Sequence, residues 1–370
     1  MLKTKMFIIF LLISCTLTAC FSYNDTNTTI FVTSLVVDVN EDQEIVVYAE
    51  AYHSYRSNLE NAEEGQRLIY SDRGDSLFTT LRRLNEASRY NIDYTQCKVY
   101  VLTERAAQHG LGDILDLIKR NQETLIRSFI TVFMGTPEEF FATDIRQDEF
   151  IGIYLNELFQ DRRLSSMLPN YRLNDFLNDR TAGKSISKIN ALRVVNTSFE
   201  DFIRVDGVAI LENDIMVEFM PSDEVMICNY LIDRIQSGSI EIEHPEKEDK
   251  ILTLVIRRSE TETDLYYENG VIHLTKTIDN EVFIADAQQG MEWNSEVIAQ
   301  IENSAAEKIK SETETLFARY KEKGLDLFDI QHLVEQKYPG SDVENAIKIT
   351  QLTSEVSVNV RGGGYVRGSR

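Results

Sequence analysis

Leu265-Tyr266-Tyr267-Glu268-Asn269-Gly270-Val271-Ile272-His273-Leu274 decides the fold of the second half of this chain. Asn269-Gly270 is the dipeptide that most readily takes the two positive φ angles of a two-residue hairpin turn, and strand-forming residues flank it on both sides. The pattern repeats nearby. Residues 205–211 and 215–219 flank Glu212-Asn213-Asp214, and Leu252, Leu254 and Ile256 alternate with polar neighbours. A helix follows over about 295–323, with Ile298, Ile301, Ala305, Ile309, Leu316 and Tyr320 near one stripe and Glu and Lys opposite. Gly324 is a natural stop, since a helix commonly ends in a left-handed residue. A second helix spans about 328–337 before Pro339-Gly340, and Val356, Val358 and Val360 mark a last strand. The second half therefore reads as an antiparallel sheet covered by a long helix.

The first half has a different grammar. Residues 30–39 and 44–53 are strand-like runs around Asn40-Glu41-Asp42-Gln43, which predicts a hairpin. Residues 54–72 are polar and read as loop. Leu77, Phe78, Leu81 and Leu84 recur at helical spacing within 75–89. A strand over 98–102, a helix over about 111–120 and a strand over 128–134 come next. Thr136, Pro137, Glu138 and Glu139 then supply an N-cap, a first-turn proline and first-turn acids for another helix. Residues 148–180 read as helical or irregular.

The fold class is α+β and multi-domain, with mixed sheets and packed helices. One domain is expected over 30–195 and a second over 200–362, with a subdivision near 245–260 and a flexible tail over 363–370. At 370 residues the chain is too long for one compact core. Its 43% apolar content, 26% charged content and 5 prolines belong to a folded protein.

The formal net charge is −22. Nucleic acid and anionic headgroups attract basic patches, so neither is an expected partner. The start of the chain points to a membrane by another route. Lys3 and Lys5 precede a mostly apolar run, 6–17, and then Thr18-Ala19-Cys20. The run is shorter than the roughly 20 residues of a spanning helix and reads as an export signal. Small residues leading into Cys20 resemble a bacterial lipobox. That resemblance implies removal of residues 1–19, a diacylglycerol on the Cys20 thiol, and a spacer over 20–29. An ordinary secretory signal followed by a chance cysteine is the alternative. Cys15 leaves with the signal, so Cys97 and Cys228 remain, either as two buried thiols or as one long-range disulfide.

Templates for catalysis fail one after another. Thr181-Ala182-Gly183-Lys184-Ser185 contains Gly-Lys-Ser, but Asn178 stands where a phosphate loop needs glycine. There is no Gly-x-Ser-x-Gly elbow. His53, His109, His244, His273 and His332 form no metal-ligand pair by spacing. His244 sits in an acidic run that reads as a solvated loop. Asp326, Asp329 and His332 share a helical spacing that suits either a weak metal site or, far more simply, a capped helix end. Cys97 with His109 as a thiol–base pair has nothing to bring it together. No catalytic residue, metal ligand or cofactor is expected, and by elimination the chain is a binding or interaction protein.

Several phrases go further in their order along the chain. They are Cys20, Asp38 before a polar turn, Gly74-Asp75-Ser76-Leu77, Lys98-Val99-Tyr100-Val101-Leu102-Thr103-Glu104, and Gly110-Leu111. Gly135 before Pro137-Glu138-Glu139, Gly207-Val208-Ala209-Ile210 with Asp214, Gly324-Leu325-Asp326, Lys337-Tyr338-Pro339 and Gly362 continue the series. In this order the chain resembles the Ger(x)C family, the lipoprotein C subunits of spore germinant receptors. It departs from the family at Phe21-Ser22, where Trp-Asp is common, and at Gln96 or Cys97, where a histidine is common. The resemblance implies a non-enzymatic lipoprotein on the outer face of the spore inner membrane. Its partners would be a multi-pass A subunit and a transporter-like B subunit, with a role in assembly and germination signalling. Cys20, as the lipidation site, is the one residue given a role, and no ligand-binding residue follows. A solute-binding lipoprotein of a transporter is the alternative, and an envelope hydrolase a third reading without a catalytic set.

Overall fold

The computed structural model describes residues 28–53, 67–112, 114–115, 127–143, 145, 148–160, 172–181, 185–199, 201–288, 290–341 and 343–363. Strands β1 (Thr29–Val39) and β2 (Ile45–His53) form the expected antiparallel hairpin, turning at Gln43, whose φ is 63°. The polar stretch read as loop ends instead in a third strand, β3 (Arg67–Gly74), antiparallel to β2. It is an edge strand whose side chains are mostly half-buried or exposed, so it carries no apolar pattern. Helix α1 (Leu77–Ala87) follows, with the Ser76 hydroxyl accepting from the Thr79 N–H.

Short strand β4 (Asn91–Asp93) and strand β5 (Val99–Thr103) both run parallel to β1. Helix α2 (Glu104–His109) starts directly at the end of β5, and most of the helix expected over 111–120 lies outside the described residues. Strand β6 (Phe129–Phe133) is parallel to β5, and helix α3 (Pro137–Ala142) begins at the anticipated Thr136 N-cap, which Glu139 completes as a capping box. Helices α4 (Ile151–Gln160) and α5 (Leu173–Thr181) lie in the stretch read as helical or irregular, of which residues 161–171 fall outside the described residues. Strand β7 (Ile186–Asn196) adds parallel to β6, then β8 (Asp201–Glu212) and β9 (Ile215–Pro221) add antiparallel. The sheet order is β3-β2-β1-β5-β6-β7-β8-β9, with β4 also on β1. The β7–β8 pair crosses the boundary expected near 195–200, so this sheet takes strands from both sides of it.

Central strands β5 and β6 are buried at every position, as parallel strands covered on both faces require. Their residues alternate between two cores. Tyr100, Leu102, Ile130 and Val132 pack with Leu77, Leu84 and Leu173 on one face. Val99, Val101, Phe129 and Phe133 pack with Phe140 and Leu155 on the other, and that second core runs on into the C-terminal sheet. Helix α6 (Ser222–Leu231) makes the join through Val225, Cys228 and Leu231. Cys228 lies in this helix, although Met226-Ile227 before it look strand-like in the sequence. This helix is short and six of its ten residues are buried, which leaves no amphipathic period to read.

The C-terminal sheet has the order β10-β11-β12-β13, built from β10 (Ser239–Glu243), β11 (Ile251–Glu268), β12 (Val271–Ala287) and β13 (Thr350–Gly363). Asn269 and Gly270 have φ of 51° and 81°, the turn their sequence predicts. Helix α7 (Ser295–Lys323) is capped by the Asn294 side chain, which accepts from Val297 N–H, and closes at Gly324 with φ 73°. Its buried residues recur at 297, 301, 305, 309, 313, 316 and 320, facing β13. Helix α8 (Ile330–Lys337) and a 3-10 turn (Ala346–Ile349) lead to β13. That last strand is parallel to β12, so the sheet is antiparallel only as far as β12. Parallel neighbours need a long crossover, and α7 with α8 supplies it. No helix among the described residues is long and apolar enough to cross a membrane.

Candidate functional site

Cys20, the single predicted site residue, lies outside the described residues, as do Phe21-Ser22 and Gly183-Lys184. The other sequence candidates can be placed. Cys97 and Cys228 are buried and free, not paired. The Cys97 Sγ donates to the Val99 carbonyl at 3.5 Å, and burial pushes its thiol up to about 12, which removes it as a nucleophile at neutral pH. His244 is buried, not solvated. Its Nδ1 accepts the Glu246 N–H at 3.1 Å, so Nε2 carries the proton it donates to the Gly290 carbonyl at 3.1 Å. Asp326 accepts backbone N–H groups of Phe328, Ile330 and Gln331 at 3.2, 3.0 and 2.8 Å and so caps α8. His332 bonds Gln336 on the exposed face of the same helix. The capped-end reading of Asp326, Asp329 and His332 is the one the geometry fits.

The carboxyl ends of parallel strands are where such sheets build sites. Here β1, β5 and β6 end side by side. Asp38, buried near the end of β1, accepts hydrogen bonds from the Thr103 hydroxyl and from Arg105 Nη2, and from Arg105 Nε at 3.3 Å. The Thr103 oxygen also accepts the Ala106 N–H at 3.2 Å, so one hydroxyl caps α2 and ties it to β1. The Asp38 hydrogen bond raises the Arg105 guanidinium above its ordinary range. Tyr48 on β2 joins from the side, its phenol raised by burial and then by the Glu138 and Asp38 carboxylates. Gly135 stands where a Cβ would lie 2.5 Å from Glu139 Oε2 and 2.8 Å from the Phe133 ring, so the capping box closes only over glycine.

A second polar node lies deeper. Glu50, fully buried on β2, receives the Thr33 and Ser34 hydroxyls at 2.7 and 3.1 Å and Arg67 Nε at 2.8 Å. It also receives the N–H groups of Ile151 and Gly152 at 3.0 and 2.8 Å, the open N-terminus of α4. A third contact links the two halves: Leu111 N–H donates to the Asp214 carbonyl at 3.0 Å, while the Asp214 carboxylate pairs with Arg180 at 2.7 Å. Gly207, with φ 148°, lets β8 pass β9 where a Cβ would sit 2.1 Å from the Met220 carbonyl. The Asp38 and Glu50 nodes match each carboxylate with hydroxyl, guanidinium and, at Glu50, backbone N–H donors. Among the described residues no three His, Cys, Asp or Glu side chains could hold a metal. Their chemistry is positional: they fix helix starts on the sheet and leave Arg105 half exposed at its rim.

Asp38, Thr103, Gly110-Leu111, Gly135, Glu139, Gly207 and Asp214 all came from the phrases that carried the resemblance, and the fold gives each a contact. The family profile described as "Spore germination protein N-terminal domain" matches residues 22–187, and "Spore germination B3/ GerAC like, C-terminal" matches 206–364. The chain belongs to the Ger(x)C family. A relative from Bacillus cereus, spore germination protein GerQC, is 19% identical over 97% of this chain and 99% of its own length. The crystal structure of the GerBC protein superposes with a TM-score of 0.57, covering 88% of this chain and 96% of that one at 14% identity. The Ger(x)C fold, with its mixed sheets and packed helices, is thus shared at a level where sequence alone has nearly faded. Glu50 was absent from the sequence reading. A lone glutamate in an apolar run, Val46-Val47-Tyr48-Ala49-Glu50-Ala51, was the signal that it is buried and paired.

Proposed function

We propose that this protein is a lipid-anchored, non-enzymatic subunit of a nutrient-germinant receptor, acting in receptor assembly and germination signalling. The observation that carries the reading is the colinear match of both halves of the chain to the two spore germination profiles. The lipobox ending at Cys20 supports an anchor on the outer face of the spore inner membrane. Two or more acyl chains hold a protein stably, with about 0.8 kcal/mol gained for each buried methylene. Confinement to the membrane raises the effective concentration of this subunit beside the multi-pass A and transporter-like B subunits. The excess of acidic over basic residues suits contact with basic loops of such partners.

Deletion of the coding sequence tests the reading. Nutrient-triggered germination is lost and returns with the wild-type chain, while Cys20→Ala leaves the protein in the soluble fraction and restores germination poorly. Unchanged nutrient germination in the deletion strain sinks the receptor role, and full membrane retention of Cys20→Ala sinks the anchor.

A further inference from the structure

Helix α7 runs along the outer edge of β13, the last strand of the C-terminal sheet. Two contacts show it. Glu302 Oε1 accepts the Val360 N–H at 2.8 Å, and Glu314 Oε1 approaches the Ser354 N–H at 3.5 Å. From 302 to 314 the helix rises about 18 Å, and from 354 to 360 the strand covers about 20 Å, so helix and edge keep step. Ile298, Glu302, Ala306, Lys310 and Glu314, each four residues on, make one ridge of the helix beside the strand. Ile298 and Ala306 on the ridge, with Leu352, Val356 and Val360 on β13, are half-buried apolar residues. The angle between helix and strand edge therefore has an apolar floor. Among the described residues no strand lies beyond β13, so its outward N–H and C=O groups have no ladder partner. Alternate residues of a strand turn these groups to the same side, so Val356 and Val358 present theirs outward between Ser354 and Val360.

We propose that this edge docks an extended segment of a partner protein, one that alternates apolar residues with lysine or arginine. In strand addition the main chain supplies affinity and alternate side chains supply specificity. The Glu302 carboxylate stands where the carbonyl of an added strand would sit, and the incoming segment displaces it. Every second side chain of that segment then meets the apolar floor. The charge of the rim selects the rest. Glu302, Glu314 and exposed Glu355 flank the edge, against exposed Lys310 and Arg361. Arg361 is already paired with Glu281 at 3.1 Å, so three carboxylates face one uncommitted cation. That balance favours a basic segment and repels an acidic one. No proline interrupts residues 350–361, and the edge is long enough for several ladder bonds. The inference rests on this edge alone and holds whatever the receptor partners are.

Fluorescence anisotropy on the processed chain with Cys20→Ala tests it. The probes are two labelled peptides, one alternating valine with lysine and one alternating valine with glutamate. The lysine peptide binds and slows hydrogen exchange of the β13 segment, and the glutamate peptide does neither. Val356→Pro removes an outward N–H and leaves the ladder to β12 intact, as proline on an edge strand can. It weakens binding of the lysine peptide by roughly 3- to 10-fold, the worth of one neutral hydrogen bond. Should that variant lose its native circular dichroism, Ala306→Trp, which fills the angle from the helix side, takes its place and abolishes binding. No binding of the lysine peptide, equal binding of the glutamate peptide, or lysine-peptide binding that the variant leaves unchanged would overturn the proposal.

Discussion

The Glu50 carboxylate, buried in the sheet, accepts the N–H of Gly152 at 2.8 Å across 102 residues of chain. This pair sets how closely α4 approaches β1. A Cβ on residue 152 would lie 2.5 Å from the Thr33 carbonyl carbon and oxygen, and backbone cannot rotate away as a side chain can. Gly152→Ala therefore lowers stability by about 3 kcal/mol through overpacking. Glu50→Gln is the complementary test. Both of its oxygens accept N–H groups, so an amide must turn its NH₂ toward a donor. The cost is about 2 kcal/mol, the range for losing a charged acceptor. Urea unfolding with unchanged slope and a lowered midpoint checks both.

Thr103 makes a different kind of bond to Asp38, since one hydroxyl donates to the carboxylate and accepts from Ala106 N–H. Thr103→Val keeps the shape and removes both roles, costing roughly 2 kcal/mol from the lost cap and the deprived carboxylate. Thr103→Ser retains most of that stability. A serine variant as unstable as the valine one would show that the methyl group, not the hydroxyl, matters here.

Cys97 and Cys228 give a chemical test of the core. Both are buried and free. Iodoacetamide should leave both peptides unmodified in the native protein and label both once guanidinium unfolds it, as read by peptide mass mapping. A Cys97–Cys228 cross-linked peptide under non-reducing conditions would contradict the fold.

The residues that were legible in sequence are those whose structure is decided locally. Asn269-Gly270 turns as read because both residues accept positive φ, and Gly324 and the Thr136 cap set helix ends within one turn of themselves. What escaped reading was decided at a distance. Strand β3 exists because β2 offers an edge to pair with, not because Arg67–Gly74 has a strand pattern. The direction of β13 is imposed by the crossover through α7, and Val356, Val358 and Val360 look the same in either direction. Asp38 and Thr103 stood out as separate phrases, but 65 residues separate them and only the β1–β5 pairing shows that they touch.

Lys276 on β12 connects core packing to pH. It is buried, its Nζ donates to the Thr263 hydroxyl at 2.7 Å, and burial lowers its ammonium to about 8 although Asp233 and Asp329 pull the other way. In the unfolded chain the same group titrates near 10.4. Above that value it is neutral in both states and contributes no penalty. As pH falls through the interval toward 8 the unfolded state takes up the proton first, so stability drops, and below about 8 the full penalty is present. The shift corresponds to about 3 kcal/mol, an order of magnitude only. Lys276→Met fills the same volume without a charge, and exposed Thr263 can turn its hydroxyl to water. The variant should be more stable than the wild type at pH 7 by about 1–3 kcal/mol. The difference between the two should shrink as pH rises from 8 to 10.5, a comparison that cancels the opposite trend of the buried cysteines. Urea midpoints of both proteins at pH 7, 9 and 10.5 supply the measurement, and a difference that stays constant across them would show that Lys276 is not held against its charge.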